Sequence, residues 1–264
     1  MLAKTFEPDH ISYGKFNIVF NHSHDVPGIV ETHVLDVYES ELIAKNSLVL
    51  DFGAGIGDFS ILAGKVAGPG GKIVAVEPST VDFETLLHNI HTNSLENITA
   101  INAAVGKPGK LHIEFKERSI DIQQRDVHEI LNEHHIDWRA YKSIFMKVDI
   151  EGAEVDLLRE LIDILQKTES VAIELHGTKK IIDDLMLPMG FNFHRISRKR
   201  YLWKAGMFAL KNPISSLRIL KQLKNAGEFP GMKKITNGIE IASSDDLVVG
   251  VYKRKAEYSK YALF

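Results

Sequence analysis

Two short stretches of the 264-residue chain gather the side chains best suited to proton chemistry. One runs Met146-Lys147-Val148-Asp149-Ile150-Glu151-Gly152-Ala153-Glu154, the other Ile173-Glu174-Leu175-His176-Gly177. Each is an apolar run that ends in ionisable groups, as a buried strand does where it emerges at a ligand. Alternation along extended chain puts Asp149 with Glu151 and Glu174 with His176. An ionisable group at such a place needs a partner or a ligand, because burial penalises the charged form. A neutral histidine near pH 7 can take the proton of a substrate hydroxyl, which makes His176 the first candidate for a general base. Asp149 would orient it or meet a positive charge, and Glu151 and Glu174 complete the catalytic set. Asp149, Glu174 and His176 are also weaker candidates for holding a hard divalent cation. For Glu154, a place in the first turn of a helix is an equal explanation.

A second constellation lies upstream, in Asp51-Phe52-Gly53-Ala54-Gly55-Ile56-Gly57-Asp58. Its glycines permit positive φ and a close approach of ligand to backbone, and a helix from Asp58 would aim its N-terminus at the same space. The dinucleotide fingerprint fails here, since its third glycine would fall at Asp58 or Ser60. Ile73-Val74-Ala75-Val76 then ends in Glu77, a carboxylate able to accept from two ribose hydroxyls, with Pro78 opening the next helix. Glu77 in register with the loop argues against a purely structural glycine turn. Asn102 and Ala103, ending a third strand, face an adenine edge. The expected cofactor contacts are Asp51, Gly53, Ala54, Gly55, Glu77, Pro78, Asn102, Ala103 and Asp149.

These residues sit at the ends of short β-branched runs that alternate with amphipathic stretches, the pattern of a parallel sheet covered by helices. Strands are expected at 47–52, 72–77, 98–105, 143–150, 169–176, 191–196 and 246–253, giving a mostly parallel seven-stranded α/β sheet with helices on both faces. Lys107-Pro108-Gly109-Lys110 reads as a turn into a short extra strand, 111–115. The stretch 117–140 reads as a polar rim with weak helical periodicity. The organisation expected is an N-terminal covering segment, 1–45, with a helix over 29–44; a catalytic core, 46–197 and 245–255; and a basic helical insertion, 198–244.

The chain has no cysteine, which excludes disulfides, thiolate metal sites and cysteine nucleophiles. Its net charge of −3 is uneven, because nine basic residues and no acid lie between His194 and Gly227. That insertion could be a lid or a homodimer contact, or could attract an anionic substrate, a membrane surface or RNA. No apolar run approaches the roughly 20 residues of a spanning helix, and no apolar signal core opens the chain, so a cytoplasmic protein is expected. Asn21-His22-Ser23-His24-Asp25 resembles a metal motif but has no matching ligand pattern downstream, and reads as a polar loop.

Taken together the motifs resemble those of the FkbM-type methyltransferases. They are VLDFGAGIGDFSILA at 49–63, IVAVEPSTVDFETLLHNIHTN at 73–93, INAAVG at 101–106, FMKVDIEGAEVDLLR at 145–159 and VAIELHG at 171–177. The resemblance covers roughly residues 46 to 197. It implies a Rossmann-like class I methyltransferase fold, S-adenosylmethionine held by Asp51, Gly53, Gly55 and Glu77, and methyl transfer to a hydroxyl of a small-molecule, sugar or lipid-linked acceptor. Asp149 would then orient His176 or meet the amino group of the cofactor's methionine part. One alternative is an RNA methyltransferase acting on a ribose or a ring nitrogen through the basic insertion. Lack of cysteine excludes C5-cytosine chemistry, and lack of Asn-Pro-Pro-Tyr after the fourth strand disfavours exocyclic amines. The other alternative is a non-catalytic module that keeps the cofactor fold for binding.

Overall fold

The computed structural model describes residues 9–20, 25–115, 118–150, 152–225 and 247–255. In chain order the elements are β1 (Asp9–Tyr13), β2 (Phe16–Phe20), α1 (Asp25–Val30), β3 (Leu48–Phe52), α2 (Asp58–Ala67), β4 (Lys72–Val76), α3 (Thr80–Thr92), β5 (Ile98–Ile101), β6 (Ala104–Val105), β7 (Gly109–Phe115), β8 (Arg118–Arg125), α4 (Val127–Glu133), β9 (Ile144–Val148), α5 (Glu154–Glu160), α6 (Ile162–Lys167), β10 (Thr168–His176), α7 (Lys179–Met186), β11 (Phe191–His194), α8 (Arg198–Lys211), α9 (Pro213–Asn225) and β12 (Leu247–Arg254). A π-helical turn, Glu31–Leu35, and a 3-10 turn, Ser40–Leu42, link α1 to β3.

Seven strands form one sheet in the order β11-β12-β10-β9-β3-β4-β5, parallel except for β12, which runs against both neighbours. Leu48, Leu50 and Phe52 of β3 point into one apolar cluster with Ile130, Leu157, Leu165 and Ile182 of the helices on that face. Val49 points into the opposite cluster, with Phe59, Leu86, Ile29, Phe208 and Ile219. A strand buried on both faces reads as a continuous apolar run, and the sequence of β3 has that form. The chain winds outward from β3 through β4 to β5, then returns to β9 on the other side. The strand order therefore reverses between β3 and β9, and in open α/β sheets the ligand crevice opens beyond the strand ends at this point.

All seven expected strands are present, with two differences in what surrounds them. The run expected as one strand over 98–105 divides: β5 pairs with β4, whereas β6 joins a separate sheet of order β6-β8-β7. The polar stretch expected as a helical rim begins instead as β8, antiparallel to β7 from Gly109↔Gln124 to Phe115↔Arg118. Alternation of Ile120 and Ile122 with polar residues carries that strand, and a helical reading of the window averages it away.

The N-terminal part also departs from expectation. The helix expected over 29–44 stops early, and β1 and β2 form a hairpin not foreseen at all. An isolated hairpin is marginal in water. This one is held by two asparagines one turn apart on α3, which pair with the backbone of β2 much as a neighbouring strand would. Asn89 accepts from the Val19 amide at 2.7 Å and donates to the Val19 carbonyl at 3.0 Å and the Ile56 carbonyl at 2.8 Å. Asn93 accepts from the Asn17 amide at 3.1 Å and donates to its carbonyl at 2.6 Å. Asn89 thus ties the hairpin to the glycine-rich loop. Replacing it with Ala strands three backbone groups, and Asn89→Ala should lower stability by about 3 kcal/mol in denaturant unfolding while exposing the amides of residues 16–20 to exchange. A change below about 1 kcal/mol would show that the asparagine does not hold the hairpin.

Candidate functional site

The loop after β3 is shaped by its glycines and closed by Glu77. Gly53 has φ +77°, and a Cβ there would lie 1.8 Å from the carbonyl oxygen of Asp149, so only glycine lets the ends of β3 and β9 come this close. Gly55, at φ +54°, faces open space. Glu77 accepts from the Gly55 amide and from the Ser79 amide, each at 2.7 Å. Both carboxylate oxygens thus brace the backbone of the cradle, and each keeps a second lone pair for a ribose hydroxyl. Burial pushes the Glu77 carboxyl up to about 7, against the pull of those two amides. Asn102 donates to the Glu77 and Pro78 carbonyls at 2.8 and 3.2 Å, fixing the corner where Pro78 and the buried Ala103 lie.

Asp51, expected to touch the cofactor, is placed differently. Its carboxylate is fully buried beneath the loop, accepting from Ser60 Oγ at 2.5 Å and lying 3.5 Å from Lys147 Nζ. Lys147 is itself only 4% exposed. Its ammonium donates to the Gly53 carbonyl at 2.6 Å and approaches Asp149 Oδ2 at 3.3 Å. Burial works against this charge, but Asp149 and Asp51 outweigh it and hold the ammonium well above the usual lysine range. Asp51 supports the loop from below rather than lining it.

Beyond the loop, Asp149, Glu174 and His176 come together with ligand atoms within 4.8 Å of one another. The Asp149 and Glu174 carboxyls lie close enough to titrate as a pair. Burial and the neighbouring Asp149 push Glu174 up to about 9; Asp149, despite burial, is held below its usual range by Lys147. Tyr38 donates to Asp149 Oδ2 at 3.3 Å. Glu31, in the π-helical turn, is raised to about 7 by burial and by Asp149.

His176 is oriented by Glu154, not by Asp149. Glu154 is 0% exposed, and its Oε1 lies 2.6 Å from His176 Nδ1 while also accepting from the Gly152 amide at 2.8 Å. A carboxylate at Nδ1 makes that nitrogen the donor and leaves the lone pair on Nε2. Nε2 lies 4.0 Å from Glu174 Oε1. Glu151 and residues 21–24 lie outside the described residues.

Sequence reasoning missed Lys147, Tyr38 and Glu31, and left Glu154 open between a role in the site and a place in the first turn of a helix. The lysine carried a signal, because a cation inside a fully buried strand demands carboxylate partners. Glu154 carried an ambiguous one, since a first-turn acid is common without a role. Tyr38 and Glu31 arrive from a segment with no periodic pattern.

The basic segment is partly self-satisfied. Arg200 pairs with Glu41 and Lys204 with Asp36, so two of its cations hold the N-terminal segment rather than face outward. His194 meets Glu39 at 2.9 Å on the same seam. No described helix is long and apolar enough to cross a membrane.

The family whose model matches the chain is the TRM5/TYW2 methyltransferase domain, over residues 37–109. This corrects the resemblance to FkbM-type enzymes. Motifs around a glycine loop and its ribose acid are shared by the fold and do not choose between its families. No curated protein matches the chain. Among solved structures, precorrin-6Y C5,15-methyltransferase from Geobacter metallireducens is 14% identical, covering 60% of this chain and 69% of that one, with a TM-score of 0.41. Pyrococcus horikoshii TYW2 in complex with MeSAdo is 15% identical over 74% of this chain and 66% of that one, at 0.45. Trm5b from Pyrococcus abyssi is 12% identical over 72% and 50%, at 0.42. This chain thus spans half to about two thirds of those proteins, and likenesses of this size say nothing about the reaction. The sheet order, the loop closed by Glu77 and the family match agree: this chain is an S-adenosylmethionine-dependent methyltransferase with a Rossmann-like class I fold.

Proposed function

We propose that this methyltransferase acts on a nucleotide of RNA, at an O–H or a ring N–H whose proton His176 removes. The observation that carries the chemistry is the His176–Glu154 contact of 2.6 Å, which holds the imidazole by Nδ1 at the end of β10, the strand next to β9. The RNA class rests on the family match, since the TRM5/TYW2 family acts on tRNA. S-Adenosylmethionine, when bound, supplies an electrophilic methyl group. Gly53, Ala54, Gly55 and Glu77 would hold its nucleoside part, and Asp149 would meet its amino group.

The protein's share of the reaction follows from the geometry. His176 Nε2 takes the acceptor's proton and leaves the lone pair for the new bond, while Glu154 stabilises the imidazolium from behind. Glu174, protonated near neutral pH, offers a hydrogen bond donor rather than a third negative charge. Alignment of the two reactants beside these groups supplies most of the acceleration. A second reading, transfer to a hydroxyl of a lipid-linked acceptor, is favoured by one observation: α8, which packs on the Glu31–Leu35 turn, carries exposed apolar side chains on its outer side.

Two experiments test this reading. His176→Ala should cut turnover by about a thousandfold, the scale of lost general-base catalysis, while cofactor affinity stays within twofold. In the same assay, labelled methyl groups should appear in RNA; label that partitions into an organic extract instead would select the lipid-linked acceptor. The Glu174 proton has its own signature. Its folded-state value near 9 exceeds the ordinary carboxylate value of 4.5, so unfolding releases a proton between those limits and stability falls as pH rises through that window. Glu174→Gln removes this slope, and its Tm should gain on the parent's steadily from about pH 4.5 to about pH 9. Parallel Tm curves would mean that the two carboxyls do not share a proton.

A further inference from the structure

The outer side of the α8–α9 hairpin has no partner within the described fold. Among the described residues, six of the ten exposed large hydrophobic side chains fall in these two helices: Leu202, Trp203, Leu210, Ile214, Leu217 and Leu220. Trp203 is 64% exposed and Leu210 79%. Single exposed apolar residues are ordinary, whereas a cluster of this density marks a contact surface. Helical spacing groups the residues into two stripes. Lys199, Leu202, Trp203, Gly206 and Leu210 follow one another on α8, and Ile214, Leu217, Arg218 and Lys221 on α9. The opposite side is already used: Phe208, Ile219 and Leu223 are buried in the core, and Ser215 donates to the Ser12 carbonyl at 2.6 Å.

We infer that this face docks on an anionic lipid surface. The argument is charge complementarity combined with apolar content. Lys199, Lys211, Arg218 and Lys221 are exposed among the apolar side chains, in a stretch that holds no acid from 194 to 227. Lysines and arginines flanking leucines and a tryptophan on the outer face of a helix match the interface between headgroups and acyl chains. RNA would use the cations and stack on Trp203, but it has nothing to offer five aliphatic side chains. A two-fold dimer through this face would bring together two copies of a patch that has four cations and no acid to pair with them. Docking would also bring the Glu31–Leu35 turn, on which α8 packs and which carries Glu31 toward Asp149, close to the lipid. The inference does not depend on which acceptor is methylated.

The test uses the full chain and sedimentation with phosphatidylcholine vesicles, with and without phosphatidylserine. The protein should pellet with the anionic vesicles, in a salt-sensitive manner, and not with phosphatidylcholine alone. Arg218→Gln with Lys221→Gln should weaken that binding about thirtyfold. Leu210→Glu with Leu217→Glu should abolish it at unchanged Tm, since both residues are exposed. Absence of pelleting with either vesicle overturns the proposal, whatever covers the face. So does a dimer dispersed by the Leu210→Glu and Leu217→Glu pair without vesicle binding, or binding of RNA through the cations without vesicle binding. None of these readouts measures methyl transfer, so this inference and the RNA reading can fail separately.

Discussion

The site depends on one buried ammonium. Lys147 sits where the strand order reverses, and its Nζ reaches the Gly53 carbonyl from β3, Asp51 beneath the glycine loop and Asp149 at the end of β9. Two carboxylates this deeply placed would repel each other and resist ionisation without it. Removing one partner from a buried ionic cluster costs about 3–5 kcal/mol, because the remaining charges are left desolvated and uncompensated. The ammonium also fixes geometry. With Gly53 pressed against the Asp149 backbone, it sets the cofactor loop and the acceptor residues in one rigid frame. A lysine here therefore joins the two halves of the site, although it touches neither ligand.

From this frame the acceptor side acquires its proton inventory. Lys147 holds Asp149 below its usual range, whereas burial and the neighbouring Asp149 push Glu174 up. Two acids driven in opposite directions and a histidine backed by its own buried carboxylate thus lie within a few ångströms of one another. Each state is set by its surroundings, not by residue type. Glu31 and Tyr38 add to this inventory from the N-terminal segment, which places them by packing on α2 and α8. The hairpin asparagines, the seam of Arg200 and Lys204, and the π-helical turn all serve to hold that segment over the cleft.

How much of this was legible in the sequence follows from the range of each interaction. The central strands were visible because burial on both faces writes itself as an uninterrupted apolar run, and the glycine loop because positive φ selects its residues. Asp149, Glu174 and His176 were visible because strand ends are where polar groups emerge. The hairpin was not, since its stability comes from side chains more than 60 positions away: Asn89 and Asn93 give no sign in their own helix that they substitute for a strand. Nor could local sequence show that Glu154, rather than Asp149, stands behind His176. The choice is made by how α5 leaves β9, a matter of a single turn.

The same reasoning explains why the family resemblance failed while the cofactor read from the sequence stood. Residues 37–109, where the TRM5/TYW2 match lies, contain the cofactor loop and Glu77, whose geometry follows from the cofactor's own shape. Any enzyme of this fold must solve that problem in nearly the same way, so the short motifs there report the cofactor, and the RNA reading rests on the match over the whole stretch rather than on them. Asp149, Glu154, Glu174 and His176 lie outside the match. In the proposed reaction Glu154, Glu174 and His176 serve the acceptor. The side chains that would meet the acceptor in that reaction lie in the second half of the chain, in a geometry that short motifs do not encode.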